Sequence, residues 1–270
     1  MDLEARPVPR SPSRYLVREL DRNPSETPPL RCAVVGAGRL GHALAAALAD
    51  AGITVEGPLG RGADPAADVV LLTVPDGEIA AAAAAVAGAA PLLGHTSGAT
   101  PLSALGATAA FGLHPLQTFT EESSGLSAFA GAGCAIAGST AEALAFAAAL
   151  AKALGMTPFE IDDEGRAAYH AAASVASNFV VTLQAAAERI AAGAGLDPGE
   201  ARRLLVPLLR RTVDNLAELG PRDALTGPVA RGDEATVEAQ RVAVAETAPE
   251  LLDLFDELVD RTRALAAVRA

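Results

Sequence analysis

The sequence predicts an α/β chain: a doubly wound, mainly parallel sheet followed by an all-α C-terminal domain. Three observations carry that prediction. From residue 31, short apolar runs alternate with Ala-rich helical stretches, the pattern of strand–helix–strand units. The first run ends in "GAGRLG", three glycines placed between a strand and a helix. After Asp163 the strand signals stop, and only helical periodicity with capping residues remains.

The elements follow in order. "RCAVVG" is a continuous apolar run closed by Gly, as expected of a parallel strand covered on both faces. "RLGHALAAALADAG" is a helix stopped at Gly52. "ITVEGP" and "DVVLLTVPD" are the second and third strands, and Asp76 is expected to cap the Ala-rich helix that follows. "PLLGHTSG", "AFGLHPL" and "GCAIAG" continue the strands. A helix from Ala141 to Leu154 and the strand "TPFEI" complete the domain. Beyond it, one long helix is expected from about Gly165 to Ala192. Asp197-Pro198-Gly199-Glu200 opens the next as a capping box with Pro in the first turn, and that helix ends at Gly220-Pro221. Thr247-Ala248-Pro249-Glu250 reads as a second capping box before the last helix. The expected division is a tail at 1–29, an α/β domain at 30–162 and a helical domain at 163–270.

Composition narrows the function. The chain has 270 residues, half of them hydrophobic, only 3% aromatic, with no Trp and a formal charge of −12. Such a field repels phosphate backbones and anionic lipids, so nucleic-acid and membrane-surface roles are not expected. Cys32 and Cys134 lie in apolar strand runs and read as buried, reduced thiols of a cytoplasmic protein. The Pro-, Arg- and Ser-rich N-terminus has no apolar h-region and reads as a disordered tail, not a signal peptide. The Ala run at 79–90 is interrupted by Gly88 and is too short to span a bilayer.

In "VVGAGRLGHAL", Gly36, Gly38 and Gly41 stand in G-x-G-x-x-G register. Gly36 allows the tight turn, Gly38 lets the backbone approach a pyrophosphate, and Gly41 lets helix and strand pack closely. Arg39 and Leu40 complete the loop, and the helix N-terminus supplies amides for an anion. Val74, Pro75 and Asp76 after the third strand, and Ser97 after the fourth, reach the same carboxyl edge and are further cofactor-binding candidates. Glu56 is a candidate for the acid that reads an NAD ribose, while Arg61 lies where a guanidinium could hold a 2′-phosphate. NADP is favoured, with NAD as the alternative. No metal site is expected.

The histidines give the chemistry. His114 ends "FGLH", and Pro115 cannot continue a central ladder, so His114 is presented at the sheet rim where ligands sit. The alternative is a histidine that only bonds a backbone carbonyl. His95, followed by Thr96-Ser97-Gly98, suits a structural turn better than chemistry, and His42 is a first-turn residue. In "YHAAASVASNFVV", His170, Ser174 and Asn178 recur every four positions with Ser177 beside them, one polar stripe on an otherwise apolar helix. A cofactor and substrate would satisfy that stripe, and helix–helix hydrogen bonding is the competing explanation.

The segments "HTSGA", "GLHPLQTF", "YHAAASVASN" and "ALTGPVARGD" resemble the family that couples a Rossmann-like domain to a helical domain of unknown function. The resemblance covers essentially everything after the tail. It implies the fold of the wider group that holds 6-phosphogluconate and 3-hydroxyisobutyrate dehydrogenases, pyrroline-5-carboxylate reductase and ketopantoate reductase. In hydroxyacid members of that group a Lys-x-x-x-Asn pair serves the carbonyl. Here Asn178 fits the Asn, but Ser174 holds the Lys position, and the chain's sole lysine is Lys152 on a helix of the first domain. The proton would then come from His170 or His114, with Asn178 and Ser177 orienting the substrate oxygen. Arg231 is a candidate for a substrate carboxylate. The expected activity is hydride transfer between NADP and a small carbonyl or hydroxy compound, ketopantoate-reductase-like by resemblance, in a homodimer joined through the helical domain. A non-catalytic NADP-binding sensor or scaffold is the rival expectation.

Overall fold

The computed structural model describes residues 30–267, so the expected N-terminal tail lies outside the described residues. Seven strands form one sheet in the order β2-β1-β3-β4-β5-β6-β7: β1 (Arg31–Val35), β2 (Thr54–Leu59), β3 (Val69–Leu72), β4 (Leu92–His95), β5 (Ala110–Pro115), β6 (Gly133–Gly138) and β7 (Thr157–Glu160). The first five run parallel. β6 returns antiparallel to β5, and β7 runs parallel to β6. The reversal follows from the β5–β6 connection, which contains only a 3₁₀ turn at Leu126–Ala128 and no crossover helix.

Because the sheet is apolar on both faces, successive strand residues feed two cores. Val34, Val69, Leu71, Phe111 and Leu113 pack with α1 (Arg39–Asp50) and α3 (Ala141–Ala153). Ala33, Val35, Val70, Leu72 and Leu93 pack with α2 (Ile79–Ala85) on the other face. The expected Rossmann-like, doubly wound sheet is therefore present. Small side chains let α1 sit close, with Gly41, Ala43, Leu44, Ala47 and Leu48 all buried.

Several element boundaries differ from expectation. Asp76 does not cap α2. It starts a 3₁₀ turn, Asp76–Glu78, and makes no side-chain capping bond. α2 stops at Ala85, five residues short of the Ala run's end, because Val86 leaves the helical region before Gly88 turns left-handed at φ 82°. The long helix expected over 165–192 is two: α4 (Arg166–Ala176) and α5 (Asn178–Ala191), broken at Ser177, whose φ is −122° and ψ −74°. Thr247 is not a cap. It is the last residue of its helix, and its hydroxyl donates back to the Ala243 carbonyl at 2.7 Å.

The chain divides into two compact units after Ser174, one helix beyond the composition shift at Asp163. The second unit holds α5, α6 (Pro198–Asp223), the single turn α7 (Pro228–Arg231), α8 (Glu234–Thr247) and α9 (Leu252–Ala267). Asp197 caps α6 by accepting from the Gly199 and Glu200 amides at 2.9 and 3.0 Å, with Pro198 in the first turn. The helical backbone breaks where the sequence indicates, at Gly220 with φ 78°. The Arg202 guanidinium grips Glu188 with two bonds, 3.0 and 2.8 Å, tying α6 to α5. Arg241 binds Asp256 in the same forked manner, tying α8 to α9.

Candidate active site

The glycine loop is built as its spacing requires. Gly36 leaves β1 at φ +126°, and a Cβ there would lie 2.6 Å from Thr73 Oγ1 and 2.7 Å from the Thr73 backbone. A Cβ on Gly41 would fall 1.9 Å from the Gly36 carbonyl oxygen. Thr73, which sequence reasoning missed, locks the turn: its hydroxyl donates to Gly36 O at 2.9 Å, and its amide donates to Val35 O at 2.8 Å. Gly38 is different. Its backbone is extended, and a Cβ there would meet nothing within 4 Å. The loop is thus closed at Gly36 and Gly41 and open at Gly38, where a phosphate group would approach the amides heading α1. The first turn of α1 carries no acidic residue, Arg39 beside it is exposed, and Leu40 is half-buried. These residues fit a dinucleotide pyrophosphate.

Glu56 does not stand at a strand end. β2 runs on to Leu59, Glu56 pairs with Ala33 inside the ladder, and its carboxylate faces the Ala66 amide. The residues after Leu59 are Gly60, Arg61 and Gly62, so the carboxyl end of β2 offers a guanidinium and no acid. Arg61 is exposed and paired with Glu78 at 2.6 Å. Val74 and Pro75 form the loop after β3, and Asp76 is exposed just beyond. Ser97 is buried, and its hydroxyl is committed to the turn it makes, accepting from the Ala99 and Thr100 amides at 3.1 and 2.9 Å. His42 is exposed, with Nδ1 3.0 Å from the Gly38 carbonyl.

A second cluster forms at the carboxyl ends of β4 and β5. His95 and Gly112 are register partners, and His114 lies two residues further along β5. In a strand these positions share one face, and α4 brings Arg166, Tyr169 and His170 to it. His114 Nδ1 lies 2.6 Å from the Tyr169 hydroxyl, with the two rings edge to face at 5.5 Å. The His170 ring is 6.2 Å away. Burial, then the His170 charge, lowers the His114 pKa from the ordinary 6.5 to about 4, with Arg166 adding to the effect and Asp76 opposing it. Burial pushes the Tyr169 phenol up to about 12, Cys134 adding to the rise and Arg166 opposing it.

His95, expected to suit a turn better than chemistry, makes one turn contact and leaves its buried Nε2 without a hydrogen-bond partner among the described residues. It is fully buried, its Nδ1 accepts the Ser97 amide at 3.2 Å, and burial followed by the Arg166 charge lowers its pKa to about 4. Arg166, unnoticed in the sequence, is 5% exposed and donates from Nε to Asp163 at 2.6 Å. Its Nη2 lies against Gly112, where even a methyl group would come within 3.4 Å, and has no hydrogen-bond partner among the described residues. Cys32 and Cys134 are free and buried, their thiols pushed up to about 12 by desolvation. They are inert packing residues.

The stripe expected from His170 through Asn178 is interrupted. His170 and Ser174 lie on α4, whereas Asn178 opens α5 beyond the break at Ser177, so a single helix does not carry all three. Asn178 is exposed, and its carbonyl accepts from the Thr182 hydroxyl at 3.2 Å. Arg231 ends the short α7 and is exposed. Among the described residues no cluster of His, Cys, Asp and Glu could hold a metal ion, and no helix is long and apolar enough to cross a membrane.

Comparison with known proteins bears on this geometry. Residues 132–262 match the family described as a domain of unknown function, DUF2520. The family resemblance is therefore borne out. No curated protein matches the sequence. Among solved structures, BF3122 of Bacteroides fragilis, provisionally assigned as an NADP oxidoreductase, superposes with a TM-score of 0.74 at 23% identity, covering 87% of this chain and 98% of its own. Protein TM1727 of Thermotoga maritima gives 0.71 at 27% identity, covering 88% and 98%. Pyrroline carboxylate reductase of Plasmodium falciparum, solved with NADP bound, gives 0.57 at 12% identity, again covering 88% and 98%. The DUF2520 match begins at the end of the β5–β6 connection, so it includes the Tyr169 and His170 helix but not His114.

Proposed function

We propose that the chain is an NADP-dependent reductase acting on a small carbonyl or imine compound. The observation that carries the reading is the glycine loop, packed shut at Gly36 and Gly41 and open only at Gly38. The absence of an acid directly after β2, with Arg61 in its place, favours NADP over NAD. The structural relatives support the same class, since they include the NADP-bound pyrroline carboxylate reductase and a reductive aminase of Aspergillus terreus in complex with NADPH.

A bound nicotinamide supplies the hydride. The chain supplies the rest: Gly38 and the head of α1 hold the pyrophosphate, Arg61 exchanges Glu78 for the 2′-phosphate, and a histidine at the β5 edge supplies the proton. Lysine chemistry has no residue to carry it here, because Ser174 stands at the family's lysine position. The carbonyl class includes ketopantoate-like 2-oxo acids, and the imine class includes cyclic imino acids. Oxidation of NADPH followed across both classes tests the reading. Turnover of any member supports it. Tight NADPH binding without turnover across the panel would favour the non-catalytic sensor instead.

A further inference from the structure

We propose that Tyr169 fixes His114 as the neutral tautomer protonated at Nε2 and acts as the proton reservoir behind it, so that proton supply passes from phenol to imidazole to substrate. The proposal rests on the reductase reading for its catalytic half and on the His114–Tyr169 geometry alone for its tautomer half.

The hydroxyl and Nδ1 are 2.6 Å apart, and the partners lie 55 residues apart in sequence, so the bond belongs to the assembled sheet-and-helix face and not to a local turn. A phenol is a far stronger acid than a neutral imidazole N–H. The stable arrangement is therefore O–H donating to a bare Nδ1, which leaves the ring's single proton on Nε2. The ring cannot turn to undo this. A Cβ on Gly98 would lie 2.8–3.0 Å from three of its atoms, so the Gly98 backbone closes one side, while Tyr169 and His170 flank the ring edge to face. Phe159 of β7, 5.8 Å from the Tyr169 ring, holds the phenol in turn. The contact with Tyr169 engages Nδ1 and leaves Nε2 as the end free to meet a substrate.

The electrostatics agree with a neutral donor. The charged and titratable groups around the ring are Asp76 after β3 and Arg166, Tyr169 and His170 on α4, and their sum with burial keeps the imidazole uncharged down to about pH 4. As hydride reaches the carbonyl or imine carbon, Nε2 gives its proton to the substrate oxygen or nitrogen. The Tyr169 O–H bond breaks, its proton moves to Nδ1, and the ring stays neutral. Once product leaves, Nε2 takes a proton from water, Nδ1 returns its proton to the tyrosinate opposite the buried Arg166 charge, and the starting tautomer is restored. His114 touches substrate, and Tyr169 positions and recharges it.

The test uses the full-length protein labelled with ¹⁵N in histidine, read by long-range ¹H–¹⁵N correlation without any substrate. His114 should show a protonated Nε2 and a hydrogen-bonded, unprotonated Nδ1 from pH 5 to 8. In Tyr169→Phe the Nδ1 resonance should move toward that of a bare nitrogen. A proton on Nδ1 in the wild type, titration near pH 6.5, or an unchanged Nδ1 resonance in Tyr169→Phe would overturn the proposal whether or not the chain is a reductase. With a turned-over substrate from the NADPH panel, Tyr169→Phe should lower kcat at least tenfold with unchanged NADPH affinity. The wild-type kcat should show no ionisation between pH 5 and 8. Full kcat in Tyr169→Phe would overturn the relay.

Discussion

Gly38→Ala separates a loop that binds a dinucleotide from one that merely turns. Gly38 has φ −82° and ψ 179°, a conformation open to any residue, and its new methyl group would meet nothing within 4 Å. The fold should therefore lose no more than about 0.5 kcal/mol. A pyrophosphate drawn onto the α1 amides would meet that methyl. Losing one charge-assisted hydrogen bond costs about 1.5–3 kcal/mol, or roughly a ten- to hundredfold weaker Kd. Gly41→Ala is the contrasting case. Its methyl group would lie 1.9 Å from Gly36 O and 2.8 Å from Thr73 Oγ1, both parts of the turn itself. Overpacking of that kind costs about 1–3 kcal/mol, a Tm several degrees lower. NADPH fluorescence titration and thermal unfolding of the two variants read both quantities. Gly38→Ala binding NADPH as tightly as the wild type would refute the reasoning, and so would a Tm as low as that of Gly41→Ala.

Other outcomes follow from the same structure. Arg61→Ala should erase most of any preference for NADPH over NADH, about ten- to a hundredfold, in parallel titrations with the two cofactors. His95 and His114 are both held down to about 4. The unfolded chain therefore takes up more protons between about pH 4 and 6.5, and stability is full above about 6.5 and lost as pH falls toward 4. Each histidine contributes on the order of 3 kcal/mol at the limit, and His114→Asn should flatten the fall of Tm with pH. Helices α5 and α6 expose large apolar side chains, among them Val181 and Leu208 at 70% and 63%. We expect a homodimer by light scattering at micromolar concentration, and a monomer when Val181 and Leu208 are both changed to Glu.

The sheet was legible because its central strands are apolar runs closed by Gly, Pro or Asp, and all seven strands lie where the sequence places them, although β2 and β7 are short and only partly apolar. The glycine loop was legible for the same reason, since spacing alone gives Gly36 and Gly41 their roles. His114 was legible at the end of its apolar run, but Pro115 does not stop the ladder as expected. It pairs with Cys134 of β6, and the Leu116 amide bonds Gly133 O beyond it, while β4 pairing ends at Gly112, two residues before His114. Tyr169 was not legible. It stands one residue before His170 and off the four-residue period, and only the pairing of β5 with a helix that follows β7 gives it a partner. Arg166 was hidden likewise, as an ordinary helix-start arginine that the assembled fold buries beside Gly112 of β5. The break at Ser177 carries no Gly or Pro to announce it, so the polar stripe read as one helix. Reversal of β6 was equally silent, because an apolar run reads the same in either direction.

The most direct test of the reductase assignment is transfer of deuterium from C4-deuterated NADPH to a substrate of the keto-acid and imine panel, followed by mass spectrometry. One deuterium per oxidised NADPH in the reduced product, stereospecific for one face of the cofactor and lost in Gly38→Ala, is the predicted result. Stoichiometric NADPH binding with no deuterium in any panel member would contradict it.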